Sequence, residues 1–195
     1  MNPPVSSDSS EFDAYASDYD AALRQGISVS GEDKEYFAHG RIAWLAHCLT
    51  RLGERPQSAL DFGCGTGSAS PYLLGLVGVN SVTGVDVSAK LLEVAQGSYG
   101  TEFTRFILRD QFQPAAELDL AFCNGVFHHI PPSERAAAVD YVYRCLRPGG
   151  LFALWENNPW NPGTRFVMSR IPFDRDAIPL SPPETKRLLR AGGFE

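Results

Sequence analysis

Ser58-Ala59-Leu60-Asp61-Phe62-Gly63-Cys64-Gly65-Thr66-Gly67-Ser68 is the stretch whose reading decides the fold. Its first five residues form a short, mostly apolar run that predicts a strand. Three glycines end that strand, and residues 68–77 then suit a helix, with Pro71 near the first turn, where a missing N–H costs little. The same alternation repeats downstream. Residues 81–86 read as a second strand, and 89–99 as a helix with Ser88 as its N-cap. Residues 103–108 and 118–123 read as a third and a fourth strand. Residues 133–146 form a helix stopped by Arg147-Pro148-Gly149-Gly150, and 151–155 a fifth strand. Strands separated by helices require right-handed crossovers and a sheet covered on both faces. The expected class is α/β, doubly wound and Rossmann-like, with a mostly parallel sheet.

Upstream, apolar residues between 35 and 52 recur at steps of three and four, the stripe of an amphipathic helix, which Gly53 ends. Residues 26–33 read as a polar loop and 11–24 as near-helical. Downstream, 156–163 is turn-rich, 164–178 has no clear period, and Ser181 caps a last helix over 182–190. Residues 1–10 read as a disordered polar tail. The expected organisation is a single domain over 11–195, with N-terminal helices at 11–52, a core at 58–156 and a further segment at 157–195.

Composition narrows the function classes. Among 195 residues, 44% are hydrophobic and 21% charged, which excludes disorder and collagen-like repeats. The 17 Lys and Arg against 23 Asp and Glu leave a net charge of −6, a poor surface for gripping a nucleic-acid backbone. Cys48, Cys64, Cys123 and Cys145 stand far apart, with no Cys/His cluster at metal-ligand spacing, so no metal is expected. They read as reduced thiols. No apolar run approaches the ~20 residues of a membrane span, and the N-terminus lacks the basic and apolar regions of a signal peptide. A cytoplasmic chain with no membrane partner is expected.

The glycine-rich turn carries the chemistry. Its bare backbone lets a nucleoside approach, and Asp86 ends the next strand at a spacing that suits ribose hydroxyls. A dinucleotide fingerprint needs glycine or alanine where Ser68 stands, and a Walker loop needs a Gly-Lys-Ser/Thr that is missing. Asp61, two residues before Gly63, would repel a pyrophosphate and suits a ligand with an ammonium or sulfonium charge.

Together with His128-His129-Ile130 after the fourth strand and Leu146-Arg147-Pro148-Gly149-Gly150 before the fifth, these residues resemble the class I S-adenosylmethionine-dependent methyltransferases over residues 12–194. The resemblance implies S-adenosylmethionine as cofactor, with Gly63, Gly65 and Gly67 lining its methionine and ribose portion. Asp61 would orient the amino group, Asp86 bind the ribose hydroxyls and Val87 pack on the adenine. Asp110, with Gln111 beside it, would accept from the adenine amino group, and Asn124 would offer its backbone to the ammonium. Residues 12–20 resemble the lid helix of small-molecule members. Tyr19 would close over the cofactor and Arg41 meet its carboxylate. His129 is the one candidate base, although direct in-line displacement from a sulfonium does not need one.

The family's nucleic-acid amino-methyltransferases carry an Asn/Asp-Pro-Pro-Tyr/Phe block where this chain reads Asn124-Gly125-Val126-Phe127, so a small-molecule acceptor is expected, with no nucleic-acid partner. Trp155, Glu156, Trp160, Phe166, Met168 and Phe173 stand where the family builds its acceptor pocket. The sequence stops at Phe194-Glu195, where the family's last strands would begin, so a C-terminally truncated form lacking them is expected. The alternatives are a catalytically silent S-adenosylmethionine-binding module and, further off, an NAD(P)-dependent oxidoreductase.

Overall fold

The computed structural model describes residues 13, 19–28 and 31–195. The expected tail at 1–10 and most of the lid-like stretch at 12–20 lie outside the described residues. Among those described, α1 spans Tyr19–Ile27 and α2 Lys34–Leu52. Asp33 caps α2 by accepting from the Tyr36 amide at 2.7 Å, and Gly53, with φ +74°, closes it by donating to the carbonyls of Leu49 and Thr50. One stripe of α2, Ala38, Ile42, Leu45 and Leu49, is buried.

The core alternates as expected through β1 (Ser58–Phe62), α3 (Ser70–Leu74), β2 (Ser81–Asp86), α4 (Ala89–Tyr99), β3 (Thr104–Leu108), β4 (Leu118–Asn124), α5 (Arg135–Cys145) and β5 (Leu146–Trp155). Then follow α6 (Pro162–Met168) and α7 (Pro182–Ala191). The strands form one five-stranded sheet in the order β3-β2-β1-β4-β5, every neighbouring pair parallel. The period-two alternation of each strand feeds two cores. Leu60, Phe62, Ala121 and Cys123 face α5, whose Ala138, Val139 and Val142 meet them. Ala59, Leu120 and Phe122 face the other way, toward Ile42, Leu45 and Leu49 of α2. Burying a side chain such as Leu60 or Leu120 contributes roughly 1.5–3 kcal/mol, so this two-sided burial fixes the register.

The three largest departures from the expected boundaries have local reasons. Helix α1 runs on through Gly26, because that glycine packs against Ile171. A Cβ there would lie 2.2 Å from Ile171 Cγ1. Helix α3 is shorter than 68–77: Ala69 is its N-cap, and at its other end the Gly75 amide closes the last turn on the carbonyls of Pro71 and Leu73. Strand β5 starts early: Leu146 already pairs with Leu118, and pairing resumes at Leu120 with Leu151. The intervening Arg147–Gly150 turn bulges out, pinned where Arg147 Nε meets Asp119 Oδ1 at 2.6 Å. None of the described helices is long and apolar enough to cross a membrane.

Candidate active-site cleft

In an open sheet of this order the strand order reverses between β1 and β4, and ligands bind beyond the carboxyl ends of those strands. The glycine turn after β1 and Asn124-Gly125 after β4 meet there, around a cavity of about 330 Å³ joined by a smaller one of about 80 Å³. The larger falls in the range of roughly 300–1,000 Å³ typical of small-molecule sites. Gly63 and Cys64 donate to the Val85 carbonyl at 2.8 and 3.1 Å, which ties the turn to β2. Gly63 is required twice over. Its φ is +69°, and a Cβ would lie 2.4 Å from Val126 Cγ2.

Two carboxylates frame this side. Asp61 is 2% exposed; one of its oxygens accepts from Ser70 Oγ at 3.0 Å. Burial raises its pKa to about 7, against the Ser70 hydrogen bond and with help from the nearby Asp86 charge. A folded-state value above the ordinary 3.8 means that the fold holds this proton more tightly than the unfolded chain. The associated stability is complete below about pH 4 and is lost as pH rises through about 7. A cationic ligand group beside Asp61 would reverse that cost. Asp86 accepts from the Gly65 amide at 2.9 Å and the Ser88 amide at 3.0 Å, linking the two loops. Burial raises its pKa too, opposed by those amides.

The β4–β5 side is built from interlocked side chains. Glu156, just past β5, accepts from the amides of Val126 and Phe127 at 2.9 and 2.7 Å. Its other oxygen lies 2.7 Å from His128 Nδ1. Asp174 Oδ1 lies 3.6 Å from His128 Nε2 and 3.2 Å from His129 Nε2. Burial alone would lower His128, but Asp174 and Glu156 outweigh it and push its pKa up to about 9. Burial likewise works to raise Asp174, and the two histidines hold it below its ordinary value. Beneath this network Arg135 donates to the carbonyls of Phe127, Ile130 and Ile178.

The structure brings most of the expected site residues to the two cavities. Asp61, Gly63, Gly65, Asn124, Arg41 and His129 line the larger, and Asp86 and Val87 line the smaller. Gly67 stands behind the turn, where a Cβ would meet Phe106 and Ala95. Asp110 and Gln111 are exposed and outside both linings. Their turn is fixed by Tyr141, whose hydroxyl bonds to the carbonyls of Arg109 and Phe112, and it is Arg109 that lines the smaller cavity. Tyr19 begins α1, but its side chain lies outside the described residues.

Of the aromatic and apolar candidates after β5, Met168 and Phe173 line the cleft. Trp160 and Phe166 are 64% and 52% exposed, and Trp155 packs on Phe122. Sequence reasoning missed Lys34, whose Nζ reaches Thr66 Oγ1 at 3.4 Å across the cleft, and the partners of Glu156 and Asp174. A carboxylate directly after β5 was the visible signal for Glu156. Asp174 had none.

This donor set fits a nucleoside with a cationic tail: bare glycine backbone, a buried carboxylate with an oxygen to spare, and Lys34 and Arg41 opposite for an anionic end. Residues 59–150 match the methyltransferase domain family. The trans-aconitate 2-methyltransferase of Azoarcus sp. (strain BH72) is 30% identical over 145 residues, covering 72% of this chain and 56% of that protein. The fold is shared with a chain from the Haloferax volcanii Trm112 methyltransferase activator complex, at 23% identity and a TM-score of 0.68, covering 94% of this chain and 76% of that one. It is also shared with Haemonchus contortus phosphoethanolamine N-methyltransferase 2 bound to S-adenosyl-L-methionine, at 20% identity and a TM-score of 0.54, covering 71% and 33%. Residues 59–150 belong to the methyltransferase domain family, and the chain as a whole is similar to S-adenosylmethionine-dependent methyltransferases, whose cofactor is S-adenosylmethionine. It spans just over half the length of the Azoarcus relative.

Proposed function

We infer that this chain transfers the methyl group of S-adenosylmethionine to a small-molecule acceptor by direct in-line displacement. The observation that carries the reading is the buried Asp61 carboxylate beside the left-handed Gly63 turn, where the strand order of a parallel sheet reverses. When bound, the cofactor supplies a methyl on a sulfonium that departs as a neutral thioether, so the protein's task is chiefly positioning.

The free oxygen of Asp61 and the backbone at Asn124 hold the ammonium in this reading. Arg41, with Lys34 beside it, meets the carboxylate, and Gly63 and Gly65 admit the ribose. Asp86 accepts from the ribose hydroxyls with lone pairs left over from its amide contacts, and Val87 covers the adenine in the smaller cavity. Met168, Phe173 and the His128–His129 wall close the larger cavity on the acceptor side and exclude water. His129 lines that cavity and is the one candidate for taking a proton from an acceptor hydroxyl, a step that direct displacement does not need.

The trans-aconitate 2-methyltransferases among the relatives make small carboxylic acids the first acceptors to try. Methyl-labelled S-adenosylmethionine is incubated with the chain and a panel of small carboxylic acids, phenols and amines. Labelled product from at least one acceptor is expected. Saturable binding of S-adenosylhomocysteine with no labelled product would instead favour a silent cofactor-binding module.

A further inference from the structure

The acceptor-side wall of the cleft holds a constellation that methyl transfer does not require. One ring nitrogen each from His128 and His129 and one carboxylate oxygen of Asp174 lie within 4.8 Å of one another. The separations from Asp174 Oδ1, 3.6 Å to His128 Nε2 and 3.2 Å to His129 Nε2, are close to the roughly 3–3.5 Å spacing that ligands about 2.0–2.2 Å from a common cation adopt. We propose that His128 Nε2, His129 Nε2 and Asp174 Oδ1 form a three-ligand site for a first-row divalent cation, with its remaining positions open to the cleft.

Three features beyond the spacing support this. First, His128 meets a carboxylate with its other nitrogen: Nδ1 lies 2.7 Å from Glu156 Oε2. That partner fixes the ring and its tautomer, as the outer carboxylate does for metal-binding histidines. Glu156 is itself held by the amides of Val126 and Phe127. Second, the two ligand-bearing segments are clasped through the backbone, where the Ile178 amide donates to the His128 carbonyl at 2.8 Å. Third, the side chains of Glu156 and Asp174 are only 6% and 5% exposed, so a divalent cation taken up in exchange for the His128 Nε2 proton would keep both carboxylates balanced where water cannot.

Two imidazoles and one carboxylate favour Zn²⁺, Fe²⁺ or Co²⁺ over Mg²⁺ or Ca²⁺. The open positions would take water or an oxygen of a molecule in the cleft, since His128, His129 and Asp174 all line the larger cavity. The site stands whether or not the chain is an active methyltransferase. Sequence spacing gave no sign of it, because two adjacent histidines and a distant aspartate form no local motif.

The test uses the tag-free, chelator-treated chain titrated with Co²⁺, followed by visible absorption and calorimetry, with Zn²⁺ as competitor. One equivalent per chain is expected to saturate, and Zn²⁺ to displace it. H129Q and D174N should each weaken binding at least about tenfold. H47Q, which removes an exposed ring stacked on Trp44, should leave it unchanged. Absence of saturable binding by the unmodified chain overturns the proposal, as does undiminished binding by H129Q and D174N with native circular dichroism. If both variants unfold, paramagnetic broadening in the unmodified chain decides. Broadening of the His128 and His129 ring signals upholds the site, and broadening confined to His39 and His47 overturns it.

Discussion

The two walls of the cleft are made differently. The β1–β2 wall is backbone: a turn in left-handed conformations, with Asp61 and Asp86 each engaged by near neighbours in the fold and each retaining lone pairs. The β4–β5 wall is side chain: His128, His129, Glu156 and Asp174 satisfy one another across segments far apart in sequence. A backbone wall accepts one shape of ligand and tolerates almost no substitution. A side-chain wall can change its chemistry residue by residue while the sheet behind it stays the same.

The sharpest break of that contrast is G63V. A side chain at φ +69° that also collides with Val126 should abolish S-adenosylhomocysteine binding beyond about a hundredfold in calorimetry. D86A comes next. It frees the Gly65 and Ser88 amides and removes an acceptor for the ribose hydroxyls, so the expected loss is on the order of 10- to 100-fold in affinity for the same ligand. E156Q probes the other wall. It should lower unfolding free energy by about 1–3 kcal/mol in denaturant titrations, while cofactor-product affinity stays within about twofold. D110A is the mildest. An exposed carboxylate outside both cavities should alter that affinity by less than about threefold, because exposed charges contribute little.

The same contrast sets what could be read from sequence. Strands β1 and β2 fell where the apolar runs placed them. Ser88 caps α4 as expected, its Oγ accepting from the Leu91 amide. These signals are local: a run of apolar residues, a glycine cluster, a capping hydroxyl. Asp61, Gly63, Gly65 and Asp86 could be singled out for the same reason, and they line the two cavities. The partners of Glu156, and Asp174 altogether, could not be read, because they depend on how the end of β5 and the segment after α6 return to His128. Strand β5 was placed too late because its pairing with β4 tolerates a bulge at Arg147–Gly150 that looks like a strand boundary. Asp110 was assigned by resemblance, but the Tyr141 clasp on its turn leaves it outside the cavities.

The central claim is that a buried carboxylate, costly in the free protein, is the group that meets the cofactor's positive end. Titrating the chain and D61N with S-adenosylhomocysteine at pH 6 and pH 8 tests it directly. With Asp61 raised to about 7, unmodified protein should bind one equivalent about tenfold more tightly at pH 8 than at pH 6, and D61N should bind weakly at both. Affinity that is equal at the two pH values, or unaffected by D61N, would contradict the account.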